Sequence, residues 1–156
     1  MSRTDRASRV VDAPPARVFD ALLDRDALEA WLPPSGMTAR FERFHPAPGG
    51  SYRLVLTHTD PTNAPGKSSD DSDIVEARYV DIVPNERVVQ AVDFIADDPA
   101  FAGTMTMTWA VEELGVGTRV EITAEDVPHG ISADDHVAGM TSSLDNLARY
   151  VESRQE

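Results

Sequence analysis

The sequence predicts an α+β fold: a curved antiparallel sheet of about six to seven strands wrapped around one long C-terminal helix, with two short helices after the first strand. Three observations predict it. Apolar residues recur at helical spacing in two short stretches near the N-terminus and in one long stretch at the C-terminus. From Thr38 to Glu125 they alternate instead, with turn residues between the runs. A sheet built from that stretch has one apolar face to bury, and the final helix is the element long enough to cover it.

The elements follow in order. Ser8 to Asp12 reads as a short strand with Val10 and Val11 as its apolar positions, and residues 1–7 as a frayed lead-in. Ala13-Pro14-Pro15 stops the strand, and proline in a first helical turn lets a helix begin there. Val18 with Leu22 and Phe19 with Leu23 carry that helix. Asp24 then caps a second one, Arg25 to Trp31, which Pro33-Pro34 ends. The strands expected next span 38–44, a run around Tyr52, Leu54 and Leu56, then 74–83, 87–94, 103–114 and 118–125. Pro48-Gly49-Gly50, Pro84-Asn85-Glu86 and Gly115-Val116-Gly117 turn the chain between them. Residues 60–73, with two prolines, a glycine and four aspartates, read as a solvated loop. Ser132 with Asp135 three residues on resembles a capping box, and Val137, Met140, Leu144, Leu147, Ala148 and Val151 stripe the closing helix.

Composition bounds the function. With 156 residues, 41% of them hydrophobic, the chain can bury a core, and one domain over 8–152 is expected, with 1–7 and 153–156 as flexible ends. The net charge of −13 repels phosphate backbones and anionic lipid, which argues against nucleic acid and against membrane insertion. The absence of cysteine removes disulfides, thiol catalysis and thiolate metal sites together. The N-terminus lacks the apolar stretch of a signal peptide, and no apolar run reaches the roughly 18 residues of a membrane span. A cytoplasmic protein is expected, with no cofactor.

The element order, and motifs along it, carry a resemblance. Ala13-Pro14-Pro15-Ala16-Arg17-Val18-Phe19-Asp20-Ala21-Leu22 and Leu28-Glu29-Ala30-Trp31-Leu32-Pro33 are the first two. Pro48-Gly49-Gly50-Ser51-Tyr52, Val83-Pro84-Asn85-Glu86-Arg87-Val88 and Gly117-Thr118-Arg119-Val120 follow, and Met140 to Val151 closes the series. Together they resemble the helix-grip fold of the START-related, birch-pollen-allergen-like proteins, the SRPBCC superfamily. The branch they resemble is that of the activator of the heat-shock protein 90 ATPase. The resemblance spans residues 8–152. It implies the fold, but this fold hosts lipid carriers, hormone receptors, aromatase/cyclases and co-chaperones, so function has to come from the site.

Most chemical motifs dissolve on inspection. Gly66-Lys67-Ser68 looks like half a P-loop, but Pro61 stands where the first glycine belongs and no helix follows. His45, His58, His129 and His136 show no HxxxH or HxH spacing, and Asp134 and Asp135 read as complements to the helix dipole rather than ligands, so no metal is expected. No GxSxG is present. Asp70, Asp71, Asp73, Asp97 and Asp98 read as solvated loop carboxylates.

The candidate site is a cavity between sheet and closing helix. A two-residue loop at Asn85-Glu86 pairs Ile82 with Val89, Val80 with Ala91 and Arg78 with Asp93, so Arg78 and Asp93 would face inward as a charge pair. A structural ion pair, or a one-residue slip that puts both outside, is the competing reading. Met105, Met107 and Trp109 share a strand face, and Tyr52 and Leu54 lie on an earlier strand. His136, Met140, Ser143 and Leu147 form one helical row, with Gly139 and Ser143 too small to fill the gap. Trp31 to Pro34, or the loop 60–73, would gate it.

Three functions are compatible, ranked in this order. The first is non-enzymatic binding of a small hydrophobic or amphipathic molecule. The second is an aromatase/cyclase-like or hydrolase-like enzyme using Arg78, Asp93 or His136. The third, implied by the resemblance, is a co-chaperone regulating a heat-shock chaperone ATPase. A homodimer stays open.

Overall fold

A computed structural model describes residues 3–33, 36–58, 72–95, 99–101, 103–115 and 117–152. Seven strands form one antiparallel sheet: β1 (Thr4–Val11), β2 (Met37–Phe44), β3 (Ser51–His58), β4 (Ser72–Val83), β5 (Arg87–Ile95), β6 (Met105–Leu114) and β7 (Gly117–Glu125). Their order is β1-β7-β6-β5-β4-β3-β2, a meander from β2 to β7 that β1 extends at the far edge. Helices α1 (Pro15–Leu22) and α2 (Arg25–Trp31) therefore connect one sheet edge to the other. Helix α3 (Ala133–Glu152) lies in the grip of the sheet and buries Met140, Ser143, Leu144, Leu147, Ala148 and Val151. The curved sheet around a long closing helix is the α+β architecture that the sequence pattern predicts.

Local chemistry explains the boundaries. Pro14 holds the N-cap of α1 and Pro15 its first turn. Asp24 sits at the N-cap of α2, but its side chain makes no capping hydrogen bond; its carbonyl accepts from Leu28 N–H at 2.9 Å. Ser132 does cap α3, its Oγ accepting from Asp135 N–H at 3.3 Å. At the β2–β3 turn Gly49 adopts φ +84°, and a Cβ on Gly50 would lie 2.2 Å from His45 O. That tight turn is tied to β4: Gly49 N–H donates to Tyr79 O, and Tyr79 N–H to Gly50 O, both at 2.9 Å.

Two sequence expectations are corrected here. β1 begins at Thr4, so residues 4–7 are strand rather than a frayed lead-in, and Ala7 pairs with Ile122. The β4–β5 hairpin runs in a different register from the one expected. Its loop holds three residues, Pro84 to Glu86, with Asn85 at φ 61° and Val83 opposite Arg87. A bulge between Tyr79 and Asp81 shifts the pairing again, so Arg78 stands opposite Ala91 and Asp93 opposite Glu76. Val75, Ala77 and Tyr79 of β4, and Val88 and Val92 of β5, face the core, whereas Val80 is 56% exposed.

The core is shared by all layers. Trp31 of α2 meets Trp109 of β6 edge-on, ring centroids 5.4 Å apart, and Trp31 Nε1 donates to Ala21 O at 2.9 Å. Phe41, Tyr52 and Tyr79 form a run of edge contacts across β2, β3 and β4. Leu144 and Leu147 are fully buried, each contributing about 1.5–3 kcal/mol by leaving water. β1 is pinned along α3 by Asp5 to His136 and by Arg9 to Asp145 at 2.6 Å, while Asp12 N–H donates to Glu152 Oε2 at 2.9 Å.

Candidate functional site

Between α3 and the concave face of the sheet lies a cavity of about 280 Å³. That is near the lower end of small-molecule pockets, which span roughly 300–1,000 Å³. Every strand from β2 to β7 contributes to its wall, as do α1, α2 and α3. The sheet projects alternate residues into it because strand side chains point to one face at a period of two. Thus Val88, Gln90, Val92 and Phe94 enter from β5, and Met107 and Trp109 from β6. Gly139 leaves room at α3, since a Cβ there would meet nothing within 4 Å.

Of the residues predicted for the site, Trp31, Tyr52, Leu54, Met107, Trp109, His136, Met140 and Ser143 line this cavity. Met105 and Leu147 are buried in the core behind the lining instead. Arg78 and Asp93 do not reach it. Arg78 is exposed, and Asp93 accepts a hydrogen bond from Thr104 Oγ1 at 2.7 Å. The inward charge pair therefore does not form, because the three-residue loop and the bulge turn the opposite face of each strand inward. Trp31, 1% exposed and anchored to Ala21 O, belongs to the wall rather than to a gate. Pro34, loop residues 60–71 with Gly66-Lys67-Ser68, and Asp97 and Asp98 lie outside the described residues.

Three polar lining residues were missed, along with much of the apolar lining. Asp73, read as a loop carboxylate, sits in β4 opposite Leu56, 3% exposed. Gln90 is 7% exposed in the middle of the sheet, opposite Tyr79 and Met107. A signal for it existed: Val88-Gln90-Val92-Phe94 is a longer apolar alternation than Val89-Ala91-Asp93. Asp135 lies beside His136 at the exposed start of the helix.

The polar groups of the cavity differ in how they are held. Ser143 Oγ donates to Leu32 O at 2.6 Å, which ties α3 to the end of α2. His136 Nδ1 lies 2.7 Å from Asp5 Oδ2. The Gln90 carboxamide and the Trp109 Nε1–H make no hydrogen bond among the described residues but open onto the cavity, whereas the Tyr79 hydroxyl is the buried side-chain polar atom left without a partner there. Burial pushes the Tyr52 hydroxyl far above its ordinary range, so it stays neutral. The described lining contains no lysine or arginine, and among the described residues no group of three or more His, Asp or Glu could hold a metal. No helix of the described residues is long and apolar enough to cross a membrane.

Residues 12–152 match the family described as activator of Hsp90 ATPase homolog 1-like proteins. The chain belongs to this family. Its SRPBCC fold recurs in solved structures. A crystal structure from Chromobacterium violaceum is 32% identical, with 96% of each chain covered and a TM-score of 0.84. One from Rhizobium loti is 24% identical, covering 96% of this chain and 97% of that one at a TM-score of 0.75. DynU16, from the dynemicin biosynthetic locus, is 18% identical at a TM-score of 0.69, and the match covers 96% of this chain but 47% of DynU16. No curated protein matches.

Proposed function

We propose that the protein binds a compact, mostly apolar small molecule between α3 and the sheet, and does so without turning it over. The observation that carries this reading is Gln90. Its carboxamide opens onto an apolar cavity and makes no hydrogen bond among the described residues. A polar group on a molecule seated in the cavity would give that amide a hydrogen bond, worth on the order of 0.5–1.5 kcal/mol. The Trp109 N–H on the neighbouring strand is available in the same way. Adaptable Met37, Met107 and Met140 suit an irregular apolar body around that polar point.

The competing readings have less to stand on. Two of the three groups an enzyme would have used, Arg78 and Asp93, lie outside the cavity. A co-chaperone would act through its surface. The large apolar residues most exposed among those described, Val10, Val80 and Leu114, sit on three different strands rather than in one patch.

Native mass spectrometry of protein purified from its host tests the reading directly, with a retained small molecule as the expected result. Gly139→Leu projects a side chain into the open space beside Gly139, so it should reduce uptake of an apolar fluorescent probe about tenfold or more while the fold survives. Undiminished probe uptake by that variant would place binding elsewhere and overturn the proposal.

A further inference from the structure

The sheet wall of the cavity offers hydrogen-bond donors that the described residues do not use. Trp109 is 6% exposed and Gln90 is 7% exposed, and both line the cavity. Neither the indole N–H nor the carboxamide makes a hydrogen bond among the described residues. Strand register brings the two together. Gln90 of β5 stands opposite Met107 of β6, and Val88 stands opposite Trp109. Gln90 and Trp109 are therefore diagonal neighbours on one face of the sheet, about 7–8 Å apart along the backbone and within reach of one another's long side chains. The indole is seated by its edge contact with Trp31, so its N–H is presented from a packed ring rather than from a mobile chain.

The balance of donors and acceptors decides what fits against this pair. An indole only donates. A carboxamide adds two N–H groups and one oxygen, so donors outnumber acceptors across the two side chains. Their complement is an oxygen with lone pairs and no hydrogen of its own. A carbonyl oxygen has two lone pairs and can accept from both residues. A hydroxyl can accept from Trp109, but its hydrogen then turns the Gln90 oxygen toward it and leaves both Gln90 N–H groups unmet. Folded proteins tolerate an unmet N–H less often than an under-used carbonyl. Tyr52 lines the cavity too, and its hydroxyl makes no hydrogen bond among the described residues. It belongs to β3, however, and β4 separates it from β5, a spacing of about 10 Å, so it forms a separate polar point.

We propose that the cavity takes an apolar ring compound bearing a carbonyl group, whose oxygen accepts from Trp109 Nε1–H and from the Gln90 carboxamide. The ring body packs against Met107 and Met140, which adapt to its outline. The carbonyl fixes the orientation of the ligand, and no bond in it is made or broken. This inference rests on the ligand-binding reading and adds the chemical class of the ligand.

The test is competition against an apolar fluorescent probe, using alpha-tetralone, the alcohol that corresponds to it, and the parent hydrocarbon tetralin. Corrected for partition between water and hexane, the ketone should bind the wild type about tenfold or more tightly than tetralin. Without that correction it should bind more tightly than the alcohol. Gln90→Met and Trp109→Phe keep an apolar body of similar shape and remove the donor. Each should lower the corrected preference for the ketone about threefold to tenfold and leave tetralin binding unchanged. In the infrared, the carbonyl stretch of the ketone bound to the wild type should lie below its position in hexane, and either variant should raise it. The wild-type band decides the matter on its own if a variant fails to fold. A band at the hexane position, an alcohol bound as tightly as the ketone, a corrected preference unchanged in both variants, or a ketone that does not displace the probe overturns the inference and leaves ligand binding standing. A preference lost in Tyr52→Phe but kept in Gln90→Met places the carbonyl at β3 and overturns it as well. A wild type that takes up no probe removes the ligand-binding reading itself.

Discussion

The cavity has two walls, and they treat their polar groups in opposite ways. On the helix wall, Ser143 and His136 are each held by a partner from another element, Leu32 O and Asp5. On the sheet wall Asp73 has a partner, but the Gln90 carboxamide and the Trp109 N–H open onto the cavity without one among the described residues. The helix wall is thus preorganised by the protein, whereas the sheet wall is completed by whatever occupies the cavity. Preorganised groups set orientation and proton position; groups awaiting a partner set what is selected.

The largest expected effect sharpens the sheet side of this comparison. Trp109 packs edge-on against Trp31 and is 6% exposed, so it supports the wall as well as lining it. Trp109→Ala should destabilise the fold by about 3–5 kcal/mol, read as a lower denaturant midpoint. An unchanged midpoint would mean that the Trp31–Trp109 contact does not hold α2 to the sheet.

A smaller effect sharpens the helix side. The folded Asp5 carboxyl lies below its ordinary value of 3.8, so its contribution to stability is present above the unfolded value and is lost as pH falls through the folded one. Acid titration of the unfolding free energy should show this limb below about pH 4. Asp5→Asn should flatten it. A limb equally steep in Asp5→Asn would assign the acid sensitivity to other carboxylates and detach Asp5 from the pinning of β1 to α3.

How much of each wall was legible in the sequence follows from the kind of interaction that built it. β6 was readable because Met105, Met107 and Trp109 alternate without a bulge. The boundaries of α2 were readable because Asp24 and Pro33 bracket it in sequence, and the apolar stripe of α3 because it repeats at helical spacing over the whole element. The β4–β5 register was not, because the bulge at Val80 puts an apolar residue outside and leaves no mark in composition. The Asp5–His136 contact was not, because its partners are 131 residues apart and meet only once β1 is laid along α3. Asp73 was hidden by three further aspartates within the preceding loop; only its pairing with Leu56 distinguishes it. Periodicity reports which face is apolar, but a polar residue on that face becomes a site only through contacts that pairing brings from far along the chain.

The smallest expected effect would break the comparison at its root, the choice of which face of the β4–β5 hairpin looks inward. If Arg78 and Asp93 faced the cavity as a buried pair, removing one partner would cost roughly 3–5 kcal/mol and removing both would recover much of it. The structure places them otherwise. Arg78 stands opposite Ala91 with its side chain exposed, and Asp93 stands opposite Glu76, where it is bonded to Thr104. Surface substitutions of this kind usually change stability by less than about 0.5 kcal/mol. Arg78→Ala and Asp93→Ala should therefore each shift the unfolding midpoint slightly, and the double variant should equal their sum. The cycle checks the register without any ligand, because coupling between two residues that form no ion pair with each other is near zero whereas a buried pair is strongly non-additive. A coupling above about 1 kcal/mol would bring both charges inward. It would also carry Gln90 to the outer face, and the sheet wall would lose the group on which the proposed selectivity depends.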